Sequence, residues 1–262
     1  CVRLPGFMAL TLTPSNPILH TARLMTIFSD YEPGVTYESL PLFYEEWDDA
    51  SSELLLACDD EIQDICRALP WFGLEYVVSE REFYNADTAE EMTHAIRTEE
   101  SLMGLTTPSV HSDANDAKGR GLSGFRRRRK QRWQRIEQHI QRRFEWRETL
   151  EERRCRCEEI QESGLIPDLH SRYFTADFPY GLTVIQQIGN IAGVSMPNID
   201  MLIEWYDSIA IINDKLCLSD YGISDLEDLK DYKSRIMRTL KAIKVQEQLW
   251  KERTSILLDM KE

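Results

Sequence analysis

Apolar residues recur along most of this chain at spacings of three and four, the period that keeps one face of an α-helix against a core. From Ser51 to Ala68 the residues Leu54, Leu55, Cys58, Ile62, Ile65 and Cys66 form one stripe with Asp and Glu opposite, which predicts an amphipathic helix. After Pro17 the same spacing joins Ile18, Leu19, Ala22, Leu24, Met25 and Phe28, with Ser15 or Asn16 placed to cap the helix start. Further helices are expected near 88–97, 182–193, 198–212 and 231–259. Gly193-Val-Ser-Met-Pro197 should break two of them, with Asn198 capping the second. Phe7-Met-Ala-Leu-Thr-Leu-Thr13 is short, apolar and partly β-branched, so it predicts a strand, stopped by Pro14-Ser15-Asn16-Pro17. Strands are otherwise nearly absent. The expected fold is mainly α, a helical bundle with one short N-terminal strand.

The stretch 111–164 departs from this pattern. His111 to Gly124 is polar and rich in Gly, Asp and Ser, as expected of a flexible linker. From Arg126 to about Glu162 charged residues surround Trp133, Ile136, Ile140 and Phe144 at spacings of three and four, which predicts one long, solvent-facing helix. The formal charge of −14 divides unequally: residues 118–156 carry +10 and the remainder −24. A basic arm on an acidic body can fold back onto it, bind nucleic acid or stay solvated. The run Arg126-Arg-Arg-Arg-Lys130, with Trp133 and Trp146 nearby, could grip phosphates and stack bases. Glu137, Glu145, Glu148, Glu151 and Glu152 can instead pair with those arginines at helical spacing, so nucleic acid is not the expected partner. The chain thus divides into a connector (1–14), a helical body in two parts (15–110 and 165–235), a basic insertion (111–164) and a C-terminal helix (236–262).

Composition narrows the classes further. With 42% apolar residues there is material for a sizeable core, yet the longest apolar runs, Phe7 to Leu12 and Ser208 to Ile212, fall far short of a membrane span. Six cysteines in 262 residues are too few for a disulfide scaffold, so structural thiols and a cytoplasmic location are expected. Cys155-Arg-Cys157 lacks the spacer of a metal-binding pair, and His94, His111, His139 and His170 share no ligand spacing; no metal is expected. Cys1 stands where an initiating Met is expected, so the sequence reads as a fragment.

Three motifs bear on chemistry. Gly119-Arg-Gly121-Leu-Ser-Gly124 fits G-x-G-x-x-G, but no apolar strand precedes it and four arginines follow, a poor context for a dinucleotide cradle. His20, near a helix start fixed by Pro17, could be an acid/base or a structural histidine. In Arg172-Tyr-Phe-Thr-Ala-Asp177-Phe-Pro-Tyr-Gly181, Arg172 offers a fork for a carboxylate and Asp177 could orient a histidine, with Pro179 and Gly181 fixing a turn; a local Arg/Asp ion pair is the alternative.

Taken together, Leu12-Thr-Pro-Ser-Asn16-Pro-Ile-Leu-His20 and Arg172 to Leu182 resemble the catalytic-histidine and arginine-to-aspartate segments of the octopine/nopaline (opine) dehydrogenases, in their C-terminal helical substrate domain. Ala192-Gly-Val-Ser-Met-Pro197 and Ile199-Asp-Met-Leu-Ile203 match as well, and Arg97 to Pro108 more weakly. The resemblance implies an oxidoreductase that condenses an amino acid with a 2-keto acid and reduces the imine with NAD or NADP as cofactor. It implies His20 and Asp177 as the catalytic pair, and Arg172, Asn16 and Tyr180 as substrate-binding residues. The family's Rossmann domain has no counterpart in this sequence, so cofactor binding is expected to depend on a domain absent from it. A non-catalytic helical module, whose Arg-rich helix recruits an acidic partner or nucleic acid, is the competing reading.

Overall fold

The computed structural model describes residues 7–13, 16–69, 73–112, 164–209, 215–232, 234–236 and 239. The glycine motif at 119–124, the Arg126–Lys130 run, the helix expected over 126–162, Cys155 and Cys157, and most of the helix expected over 231–259 lie outside these residues.

The α-helices with defined bounds among the described residues are α1 (Phe7–Leu12), α2 (Asn16–Ile27), α3 (Asp49–Ala68), α4 (Glu80–Tyr84), α5 (Ala89–Arg97), α6 (Thr183–Ala192), α7 (Pro197–Ile209) and α8 (Leu226–Lys230), with a π-helix at Tyr173–Leu182; Tyr232, residues 234–236 and Thr239 are helical as well. α3 is the hub. Its apolar stripe packs against α2, α5, α6 and α7, while the π-helix packs between α2, α6 and α7. Trp47, Trp205, Phe28, Phe43, Phe174 and Phe178 fill the centre, all fully buried. Asp48 starts α3 by accepting the Ser51 backbone N–H, and Thr88 with Glu91 forms a capping box on α5.

Phe7–Leu12 is helical, not a strand. The segment buries Ala9 and Leu12, three apart, while Leu10 points outward. Thr13 then closes the turn, donating its N–H and hydroxyl to the Ala9 carbonyl. Among the described residues no strand lies alongside to satisfy an extended backbone, so the helix-forming Met, Ala and Leu prevail over the two threonines.

Asn198 is not a cap either: α7 begins one residue earlier, at Pro197. Proline suits the first helical position because its missing N–H would be unpaired there. The cap comes from across the fold, where the buried Glu61 carboxylate of α3 accepts the backbone N–H groups of Asn198 (2.8 Å) and Ile199 (3.0 Å) and the Asn198 amide. At the other break, Gly193 ends α6 in the left-handed conformation (φ 73°), as the break at 193–197 requires.

The described residues contain one small sheet, β1 (Ser109–His111) antiparallel to β2 (Leu165–Pro167). Ser112 N–H donates to Gly164 O at 2.8 Å, so the two ends of the stretch 113–163 start from the same place on the body.

A second buried acidic site links α3 to α4. Asp59 accepts the Glu80 backbone N–H at 3.0 Å, and both side chains are buried. Burial, with Asp59 adding repulsion, pushes the Glu80 carboxyl from 4.5 up to about 8. A carboxyl raised in the fold binds its proton there at pH values where the unfolded chain has lost it. The stability that Glu80 contributes is therefore full below about pH 4.5 and is lost as pH rises to about 8. Glu80→Gln should remove that decline and raise stability by a few kcal/mol at pH 8 with little change at pH 4.5. Urea titrations across that range check it; parallel profiles for both proteins would refute it.

Candidate active site

α2 places His20 one turn beyond Asn16 and Pro17, on the face turned to the π-helix. The π-helix has a local cause. Pro179 has no N–H to continue the α-helical ladder, so the chain widens, and the Thr183 hydroxyl donates to Phe178 O at 2.9 Å. This replaces the turn expected between Asp177 and Gly181. One side of the π-helix buries Phe178 against Tyr206, stacked at 4.5 Å, and Phe174 against Trp205. The other side meets α2, where a Cβ on Gly181 would lie 2.8 Å from Pro17 Cγ, so only glycine permits this approach.

The approach brings the two halves of the sequence together: His20 Nδ1 lies 2.7 Å from Asp177 Oδ2, and both residues are buried. A carboxylate oxygen only accepts, so Nδ1 carries the proton and Nε2 of the neutral ring is free to accept. Nε2 meets the Tyr44 hydroxyl at 2.8 Å. Tyr173 sets its ring edge-to-face on the imidazole at 4.6 Å, and Phe43 does so at 5.9 Å. Burial raises the Tyr44 phenol well above its ordinary value, Tyr173 adds to the shift and Arg172 opposes it, so Tyr44 stays protonated.

Tyr44 comes from a loop held on both sides. Buried Arg23 of α2 donates to the carbonyls of Phe43 (3.0 Å) and Glu46 (2.5 Å) and to Asp48 (3.0 Å), and its guanidinium lies over Trp47. From the opposite side Phe43 N–H donates to Leu105 O, and the Thr107 hydroxyl to Pro41 O.

The other residues singled out from sequence lie around this core. Arg172 is exposed and makes no hydrogen bond or ion pair among the described residues, so the local Arg172–Asp177 pair is replaced by His20–Asp177. Asn16 is exposed at the start of α2, and Tyr180 is half exposed on the π-helix. Tyr44 escaped sequence reasoning. Its one signal is the density of aromatics in Phe43-Tyr44-Glu-Glu-Trp47, more than an exposed loop would hold. Among the described residues no cluster of His, Cys, Asp or Glu could hold a metal, and Cys66 and Cys217 are free thiols. No described helix is long and apolar enough to cross a membrane.

A family model described as the NAD/NADP octopine/nopaline dehydrogenase, alpha-helical domain, matches residues 3–210. The chain belongs to the octopine/nopaline dehydrogenase family. Octopine dehydrogenase from Pecten maximus is 25% identical over 204 residues, covering 74% of this chain and 39% of that protein. Octopine dehydrogenase from Mizuhopecten yessoensis is 26% identical over a similar span, 38% of its length, so the chain spans about two fifths of these relatives. Tauropine dehydrogenase from Arabella iricolor is 45% identical over 49 residues, 19% of this chain and 12% of its own. A solved octopine dehydrogenase, described with NADH and pyruvate, superposes with TM-score 0.56 at 23% identity, over 87% of this chain and 48% of that one. A second, described with NADH and L-arginine, gives 0.55 at 23% identity, over 86% and 49%. The superpositions establish the shared helical fold.

Proposed function

We propose that this chain is the substrate-handling body of an opine dehydrogenase, joining an amino acid to a 2-keto acid and reducing the imine to an N-(carboxyalkyl) amino acid. The observation that carries the reading is the buried His20, held by Asp177 at 2.7 Å beside an exposed arginine without an ion pair among the described residues. Pyruvate and L-arginine in the described octopine dehydrogenase structures point to the same substrate classes.

In this reading Asp177 orients His20, His20 supplies the proton that activates the keto group and lets water leave, and Arg172 binds the keto acid's carboxylate. Asn16 and Tyr180 are assigned the rest of the substrate on the family resemblance; both side chains are open to solvent. A nicotinamide, NAD or NADP, supplies the hydride when bound. The described residues do not fit its pyrophosphate: their sheet is two three-residue strands, with no strand–glycine turn–helix cradle. Turnover therefore depends on a nucleotide-binding unit beyond the described helices, and these helices alone are expected to be inactive.

The test is NADH or NADPH oxidation by the full-length protein, with mass spectrometry of the product. Oxidation that needs both amino acid and keto acid and yields the N-(carboxyalkyl) product supports the reading; none, or reduction of the keto acid alone, refutes it. In the active protein Arg172→Leu should raise KM for the keto acid by about 10–100-fold and leave kcat within a few-fold, since a carboxylate contact acts in ground and transition states alike.

A further inference from the structure

We propose that Tyr173 determines which keto acids are accepted: its ring is the wall against which the keto acid's side chain lies, and it restricts that side chain to a short one; this rests on the opine dehydrogenase reading.

His20 can give its proton to the keto oxygen only when the substrate lies within hydrogen-bond distance of the imidazole, about 3 Å. Asp177 closes the Nδ1 side. Three aromatic rings surround the rest of the imidazole. Phe43 and Tyr44 are buried, with centroids 5.9 and 6.3 Å away, whereas Tyr173 lies nearest, at 4.6 Å, and is only partly buried. Tyr173 is therefore the ring, among these three, that borders both the imidazole and solvent.

The carboxylate anchor leads to the same residue. Arg172 precedes Tyr173 in the chain and is exposed. In a 2-keto acid the keto carbon carries the oxygen, the carboxyl group and the side chain. With the carboxylate on Arg172 and the keto oxygen at His20, the keto carbon falls between them. Tyr173, joined to one of these residues and in ring contact with the other, stands beside that carbon and meets its third substituent. The wall is firmly backed. The Tyr173 ring rests on Phe43 at 5.2 Å, and Phe43 is held by Arg23 at its carbonyl (3.0 Å) and by Leu105 O at its N–H (2.9 Å). The next residue, Phe174, is fully buried against Trp205, so the chain carrying Tyr173 has no room to retreat. A surplus methylene pressed against such a surface typically costs about tenfold or more in kcat/KM.

The test compares pyruvate with 2-oxopentanoate, two methylenes longer, in the full-length protein with the amino acid partner at saturation. The native protein should prefer pyruvate. Tyr173→Ala should raise the ratio of kcat/KM for 2-oxopentanoate to that for pyruvate by about 10–100-fold, and Tyr173→Phe, which keeps the ring, should leave it within a few-fold. A general loss of activity from disturbed packing around His20 cancels in this ratio. Tyr173→Leu, which keeps an apolar contact on Phe43 but removes the outer part of the ring, should move the ratio in the same direction by a smaller factor, and decides the matter if Tyr173→Ala folds poorly. An unchanged ratio in the shortened variants would overturn the wall. So would a shift in Tyr173→Phe as large as that in Tyr173→Ala, which would assign selection to the hydroxyl, or abolished turnover in Tyr173→Leu at a native melting temperature, which would make the ring a support for His20 alone. If the native protein forms an opine from neither keto acid, the functional reading itself fails; if it forms one and the ratio does not move, only the wall fails.

Discussion

In the full-length protein, His20→Ala is expected to lower the rate of opine formation by about 10²–10⁴-fold, the usual loss when a positioned acid/base is removed. Both ring nitrogens of His20 are engaged, Nδ1 by Asp177 and Nε2 by Tyr44, and no other described histidine has such an environment to replace it. Alanine would also leave the buried Asp177 carboxylate without its donor, so part of any loss could reflect weakened folding. His20→Asn separates the two effects. Its amide can still donate to Asp177 but carries no exchangeable charge at neutral pH. It should keep a melting temperature closer to the native value than His20→Ala while losing turnover to the same extent. Steady-state rates beside thermal unfolding decide the matter, and near-native turnover in His20→Asn would remove His20 from the chemistry.

The reach of sequence reasoning differed by element for physical reasons. α3 was legible because twenty residues repeat one stripe and the stripe is what packs. The break at 193–197 was legible because Gly193 adopts a backbone conformation that few other residues tolerate. The 7–13 segment was misread because so short a stretch carries too few turns to tell a helix from a strand, and the deciding fact, the lack of a neighbouring strand among the described residues, is tertiary. β1 and β2 gave no signal: each has three residues, and neither alternates buried with exposed positions.

At the site, spacing alone left His20 open between acid/base and structural roles, and gave Asp177 a local arginine partner as an alternative. Resemblance supplied their pairing, and the structure shows how Gly181 and the Pro179-widened helix allow it. Tyr44 was illegible because its role depends on where Arg23 pulls the 41–48 loop, a contact from a separate helix that no local pattern reports.

That dependence makes Arg23 the residue whose loss should most weaken the fold. Arg23→Ala is expected to destabilise the protein by about 3–5 kcal/mol, a large share of the roughly 5–15 kcal/mol of an ordinary domain. The guanidinium is 1% exposed and donates to the Phe43, Leu42 and Glu46 carbonyls, the Ser51 hydroxyl and Asp48. Burial lowers its affinity for its proton and Asp48 acts against that, but arginine starts so high that it remains charged. The ion pair is the smaller part of the loss, because the Asp48 side chain is half exposed and water can replace its partner. The larger part is the set of backbone carbonyls left unsatisfied around a hole the size of an arginine. Arg23→Lys distinguishes these contributions. It keeps the charge but has no planar fork to span Phe43, Glu46 and Asp48, so it should recover only a minor part of the stability. Urea midpoints at constant slope measure both variants, and full recovery by lysine would show that charge, not the fork, holds the Tyr44 loop.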